Sequence, residues 1–172
     1  MRRELFQPTE EGEARLLILI ATFTGKNKCL EGRTKLAKLD FLLRYPRFLR
    51  RALLIRGESP ERLTDLSDQE DLESRMVRYR YGPWDPSYYA ILGRLVGKRL
   101  IEPIPFARGI GYRSTDEGQK VVRALTSVED WSAIQRSARL LKKYLDLSGT
   151  SLMNFIYTNF PEVTHSSWGE HL

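Results

Sequence analysis

At 172 residues, 41% of them hydrophobic and 29% charged, the chain is long enough for one domain with a real core, or one domain carrying an appended helical module. A net charge of +6 favours an anionic partner such as nucleic acid, while a single cysteine, Cys29, excludes an intrachain disulfide and fits a reducing cytoplasm. The most apolar stretch, Leu16 to Phe23, is far shorter than the roughly 20 residues that span a bilayer, so no membrane role is expected.

The acidic residues before that stretch, and the lack of a small-residue cleavage site after it, argue against a secretory signal. It reads instead as a helix over Glu11 to Phe23, buried on most sides, with Gly25 as its stop. Leu36, Leu39 and Leu43, with Leu42 beside them, make a second helical stripe that ends near Tyr45, ahead of Pro46. "RFLRRALLIRG" predicts a third helix closed by Gly57. The next stretch is polar, and Ser67 with Glu70 has capping-box spacing for a short helix.

Charge divides the chain further. Residues 1–57 carry a net +7, residues 58–74 a net −6, residues 75–125 a net +6 and residues 126–172 a net −1. Two basic blocks therefore flank an acidic insert, and the C-terminal part is nearly neutral.

In "RMVRYRY", Val77, Tyr79 and Tyr81 alternate with Arg78 and Arg80, which predicts a half-buried strand with a basic outer face. Gly82 and Pro83 break it. Asp85 suits an N-cap and Pro86 a first helical position, so a helix is predicted from Pro86 to Lys98. It places Tyr88, Leu92, Leu95 and Val96 on one face and Ser87, Arg94 and Lys98 on another. Gly93 and Gly97 suggest close packing of the following hairpin. "RLIEPIP" and "GYRS" read as strands around a "FARGIG" turn. Ser114 and Glu117 have capping-box spacing for the next helix. Trp131, Ile134, Ala138, Leu141 and Leu145 form a long stripe ended by Gly149, and "SLMNFIYTNF" forms a last short helix stopped by Pro161.

The order helix, helix, strand, corner, helix, strand, turn, strand is that of a winged helix-turn-helix. The predicted fold class is therefore α+β, mostly α: a winged-helix domain over residues 1–125 with an acidic insert at 57–74, and a C-terminal helical hairpin over 126–172 packed on it. The corner Tyr81-Gly82-Pro83-Trp84-Asp85 then sets the entry angle of the recognition-helix candidate. Arg94, Lys98 and Arg99 are its candidate DNA contacts. Arg108 lies in the wing, where it could reach a minor groove, and Arg78 and Arg80 could meet phosphates. The plain alternative is a solvated basic face. The helix lacks the Asn, Gln or second Arg beside Arg94 that commonly read base edges, so phosphate contact is expected rather than sequence reading. The clustered aromatics Tyr79, Tyr81, Trp84, Tyr88 and Tyr89 could stack bases, but core packing around the corner is the expected use.

Little points to catalysis. Both histidines, His165 and His171, fall in the last eight residues. No Walker-type loop and no metal-ligand spacing occurs, so neither cofactor nor metal is expected. Asp85 reads as a cap and Asp40 as a helix-surface residue.

Four stretches together carry a resemblance: "GRTKLAKLDFLLRYPRFLRRAL", "RMVRYRYGPWDPSYYAILGRLVGKRLIEP", "GYRSTDEG" and "NFIYTNFPEV". They resemble the middle component of ABC-three-component bacterial defence systems, the group that includes the Lamassu-type small subunit. The likeness covers most of Gly32 to Val163, and the Tyr81-to-Asp85 corner and the terminal "FPEV" are its most specific parts. It implies a non-catalytic antiviral-defence subunit beside an SMC/Rad50-like ATPase and an effector, often a nuclease. Such a subunit is expected near the ATPase heads, with Leu152, Phe155, Ile156 and Phe160 as a candidate docking face, or else simply packed on the core. The corner's role there is structural. A fainter resemblance, through "KLAKLDFLL" and the Tyr-Gly-Pro corner, is to Panacea-type antitoxin domains, from which Trp84 and Asp85 depart. "YRSTDEG" also echoes winged-helix transcription regulators, so a stand-alone DNA-binding regulator and an antitoxin remain the alternatives.

Overall fold

The computed structural model describes residues 7–67, 72, 76–79 and 82–165. It is an α+β fold, mostly α, with two small two-stranded antiparallel sheets among the described residues.

Helix α1 (Glu10–Phe23) is the central element. Thr9 caps it by accepting from the Gly12 N–H at 3.0 Å, and Glu10, Glu11 and Glu13 load its first turn with the charge the helix dipole favours. Leu16 through Ile20 are all buried, so this helix is enclosed on nearly every side, as its unbroken apolar run predicts. Helix α2 (Arg33–Arg44) ends where Tyr45 leaves helical geometry ahead of Pro46, and α3 (Pro46–Ile55) starts at that proline. Gly57, at φ +94°, closes α3. A 3₁₀ turn at Pro60–Leu63 and α4 (Thr64–Ser67) follow, so Ser67 ends a helix, whereas Glu70 lies outside the described residues.

The corner differs from its sequence reading. Val77–Tyr79 (β1) pairs with Gly82–Trp84 (β2) in a short hairpin, so Gly82 and Pro83 form the returning strand rather than a break. Pro83 is tolerated because a two-stranded sheet has only edges. Helix α5 (Tyr88–Gly97) begins two residues after Pro86. Strands β3 (Ile101–Phe106) and β4 (Gly109–Ser114) then pair with Ala107 and Arg108 at the tip, and Gly109, Ile110 and Gly111 lie in β4. Gly93 and Gly97 have no neighbour that a Cβ would meet, so they do not seat the hairpin.

Two other glycines do serve close approach. Leu30, between α1 and α2, exchanges a pair of 2.9 Å hydrogen bonds with Tyr112 of β4. A Cβ on Gly111 would lie 2.9 Å from the Leu30 carbonyl oxygen. Helix α6 (Asp116–Leu125) docks so tightly that a Cβ on Gly118 would lie 2.0 Å from the Leu100 carbonyl oxygen. Its cap is Thr115, not Ser114, which belongs to β4. Helices α7 (Glu129–Leu145), α8 (Gly149–Asn159) and α9 (Pro161–Thr164) complete the chain; Gly149 opens α8 behind a Ser148 cap rather than closing α7. Helix α7 lies along α1, and α8 lies along α2. Ala138, Leu141, Leu145, Leu152, Ile156 and Phe160 thereby join the same hydrophobic core as α1.

Candidate nucleic-acid interface around helix α5

The start of α5 is tied down by buried charge. Asp40, read above as a helix-surface residue, is wholly buried: its face of α2 turns toward α1 and α5. Arg15 Nε of α1 donates to Asp40 Oδ1 at 2.7 Å. The Tyr88 hydroxyl of α5 donates to Asp40 Oδ2 at 2.7 Å. Arg44 Nη1 lies 3.5 Å from Asp40 Oδ2 and 2.7 Å from Asp85 Oδ2. Asp85 Oδ1 accepts from both the Ser87 N–H and its hydroxyl, at 2.8 and 2.6 Å. Two arginines thus face two carboxylates, and no unbalanced charge is left inside the group.

Burial opposes the charge on Asp40, but Arg15, Arg44 and the bond from Tyr88 outweigh it and hold its carboxyl below the usual range. Burial, with the Asp40 charge beside it, raises the Tyr88 phenol well above its usual value, so it remains a donor. Lys38, elsewhere on α2, is pushed down to about 8 by burial. Asp85 is not the cap expected of it, since α5 starts at Tyr88 with Ser87 in the cap position. It links the corner to α2, while Trp84 stands half-buried and edge-on to Tyr88, ring centres 5.1 Å apart.

The far end of α5 is held differently. Arg94 and Lys98 share a face, as the helical spacing predicts, but that face meets α1. Arg94 Nη1 lies 3.2 Å from Glu13 Oε1, and Lys98 Nζ bonds Glu13 Oε2. Burial works against the Glu13 charge, but Lys98 and Arg94 together hold its carboxyl below the usual range. These two cations are therefore partly neutralised from within the chain. Arg99 is exposed just past the helix at φ +58°. Arg108 is exposed at the hairpin tip. Arg78 sits in β1 opposite Pro83, and Arg80 and Tyr81 lie outside the described residues.

The expected docking face is corrected. Leu152, Ile156 and Phe160 are fully buried and Phe155 is half-buried. Phe160 packs edge-on against Phe48 of α3 at 5.5 Å, so these side chains are spent on the chain's own core.

Arg33 was not singled out by the sequence. Its guanidinium lies 4.7 Å from the ring centre of Tyr89, which is 60% exposed, and Trp84 leans on that same tyrosine. A local signal was present. The first turn of α2 holds Arg33 and Lys35 and no acid, against the preference of the helix dipole. Such a broken local rule tends to sit where function requires it.

Among the described residues, no group of three or more His, Cys, Asp or Glu is placed to hold a metal ion, and no helix is long and apolar enough to cross a membrane. Comparison with protein-family models, with curated proteins and with solved structures finds no match to this chain.

Proposed function

We propose that this chain is a non-catalytic winged-helix adaptor, a subunit that docks near the heads of an SMC/Rad50-like ATPase and helps couple DNA sensing to an effector such as a nuclease. The Leu30–Tyr112 bridge carries the winged-helix part. With it the order becomes α1, an extended residue joined to β4, α2, α5, β3, β4, with residues 45–87 as an insertion between the two helices of the motif. On this reading α5 takes the recognition position and β3–β4 is the wing.

The adaptor part rests on the resemblance and on the outward face of α5. Tyr89, Gly93, Val96 and Gly97 recur there at helical spacing, all exposed. That face is small and apolar and carries none of the side chains that read base edges, which suits a protein helix better than a major groove. The basic residues then serve phosphate contact at its margins.

The test is recovery of the tagged protein from its native host, with bound proteins identified by mass spectrometry. A large coiled-coil ATPase is the expected companion. Recovery as a symmetric dimer that shifts one specific DNA fragment would overturn the adaptor in favour of a regulator, and recovery with a toxin would make it an antitoxin.

A further inference from the structure

We propose that the cleft between the β3–β4 tip and the first turns of α2 and α8 holds a backbone phosphate of double-stranded DNA between Arg33 and Arg108. This rests on the winged-helix reading and assigns its DNA contact to a different place from the C-terminal end of α5.

The cleft has a volume of about 380 Å3 and is lined by Arg33, Lys35, Phe106, Arg108, Ser148 and Glu31 among others. Lys35 is balanced by Asp146, whose Oδ1 lies 2.6 Å from its Nζ. Arg33 and Arg108 have no carboxylate partner among the described residues, in contrast to Arg94, Lys98, Arg113 and Arg136. Glu31 is the one carboxylate in the lining, so the cleft is left with net positive charge. The first three N–H groups of α2 find no acceptor among the described residues, and the cap residue Gly32 has no side chain to offer them. Two arginines unpaired among the described residues and the uncapped start of α2 thus line the same cleft, which makes an anion the complementary ligand.

The arrangement favours a polymer over a small free anion. The Arg33 guanidinium lies over the Tyr89 ring at the start of α5, and Arg108 stands at the tip of the proposed wing. The two line one open cleft from different elements, α2 and the β3–β4 tip, and Arg33 ties it to the recognition-position helix through Tyr89, an arrangement suited to backbone rather than base contact. A guanidinium stacked on a ring keeps its edge donors free for phosphate oxygens.

Binding of a short mixed-sequence duplex, followed by fluorescence anisotropy over a salt series, tests this. Both arginine side chains are exposed, so Arg33→Ala with Arg108→Ala should lower the melting temperature by no more than about 4 °C, the share of one exposed cation–π contact. The double variant should bind about tenfold more weakly and lose about 2 from the slope of log affinity against log salt, the share of two phosphate contacts. Lys120→Ala with Arg136→Ala removes the same charge elsewhere and should change affinity less than about twofold. The cleft is overturned if the two double variants behave alike, if the loss follows Arg94→Ala with Lys98→Ala instead, or if the unmodified protein binds no duplex. Displacement of the duplex by inorganic phosphate at constant ionic strength would make a free anion the ligand and overturn the DNA assignment. None of these outcomes touches the adaptor reading, which stands or falls on recovery of the ATPase.

Discussion

Helix α5 is fastened at both ends to charged groups, by the Tyr88 hydroxyl on Asp40 at its start and by the Glu13 ion pairs at its finish, and the two ends work in different media. At its start, Asp40, Arg15, Arg44 and Tyr88 meet with almost no water. At its finish, Glu13 holds Arg94 and Lys98, whose side chains remain 50% and 54% exposed. The chemistry is alike but the energetics are not. Breaking the buried set strands arginines in a poor solvent, whereas neutralising Glu13, itself only 7% exposed, returns two half-exposed cations to water. The buried end specifies where the helix sits; the exposed end trims it.

Removing the hub of the buried end should give the largest effect. Asp40→Ala leaves Arg15 and Arg44 without their shared carboxylate and should cost about 3–5 kcal/mol in urea unfolding. A loss below about 1 kcal/mol would mean that water reaches the joint and that the contrast between the ends is false. Trp84→Ala comes next. Because the indole is only half-buried, about 2 kcal/mol is expected, roughly half the cost of truncating a fully buried aromatic. If recovery of the proposed ATPase partner fails while melting is unchanged, Trp84 belongs to an interface instead.

Glu13→Gln should cost less than about 1 kcal/mol, and the difference from the parent should fade as salt rises. Acid sharpens the same contrast. The folded Asp40 carboxyl titrates below its unfolded value, so its stabilisation is complete above the unfolded value and is lost as pH falls through the lower, folded one. Glu13 acts in the same direction. Glu13→Gln should therefore retain most of the loss of stability seen in thermal melts below about pH 4. A variant with a flat acid profile would move the pH-sensitive joint to the exposed end.

The elements were legible where local pattern decides them. The stripe of Leu36, Leu39 and Leu43 and the stop before Pro46 predict α2, and the stripe from Trp131 to Leu145 predicts α7. The corner was misread because Gly-Pro signals a break in isolation, while a neighbouring strand can still recruit it into a hairpin. The cap of α6 moved by one residue because Ser114 and Thr115 carry equivalent hydroxyls and only the strand pairing chooses between them. The charged joint was not legible at all. Asp40 looks like any polar helix residue until α1 and α5 are known to close over it. Arg94 and Lys98 shared a face as read, but nothing along α5 announces that Glu13 of a distant helix waits there. For Arg33, the absence of acid from its turn was the trace left in the sequence.

The Leu30–Tyr112 bridge has a mechanical consequence. Strands of six residues give the β3–β4 hairpin a reach of about 20 Å, and its arm is pinned partway along to the segment between α1 and α2. Gly118 fixes the base of the same arm against α6. A hairpin so held is a lever with its fulcrum at Leu30. Force applied at Arg108 would be delivered into the junction of the two helices that carry Arg15 and Asp40.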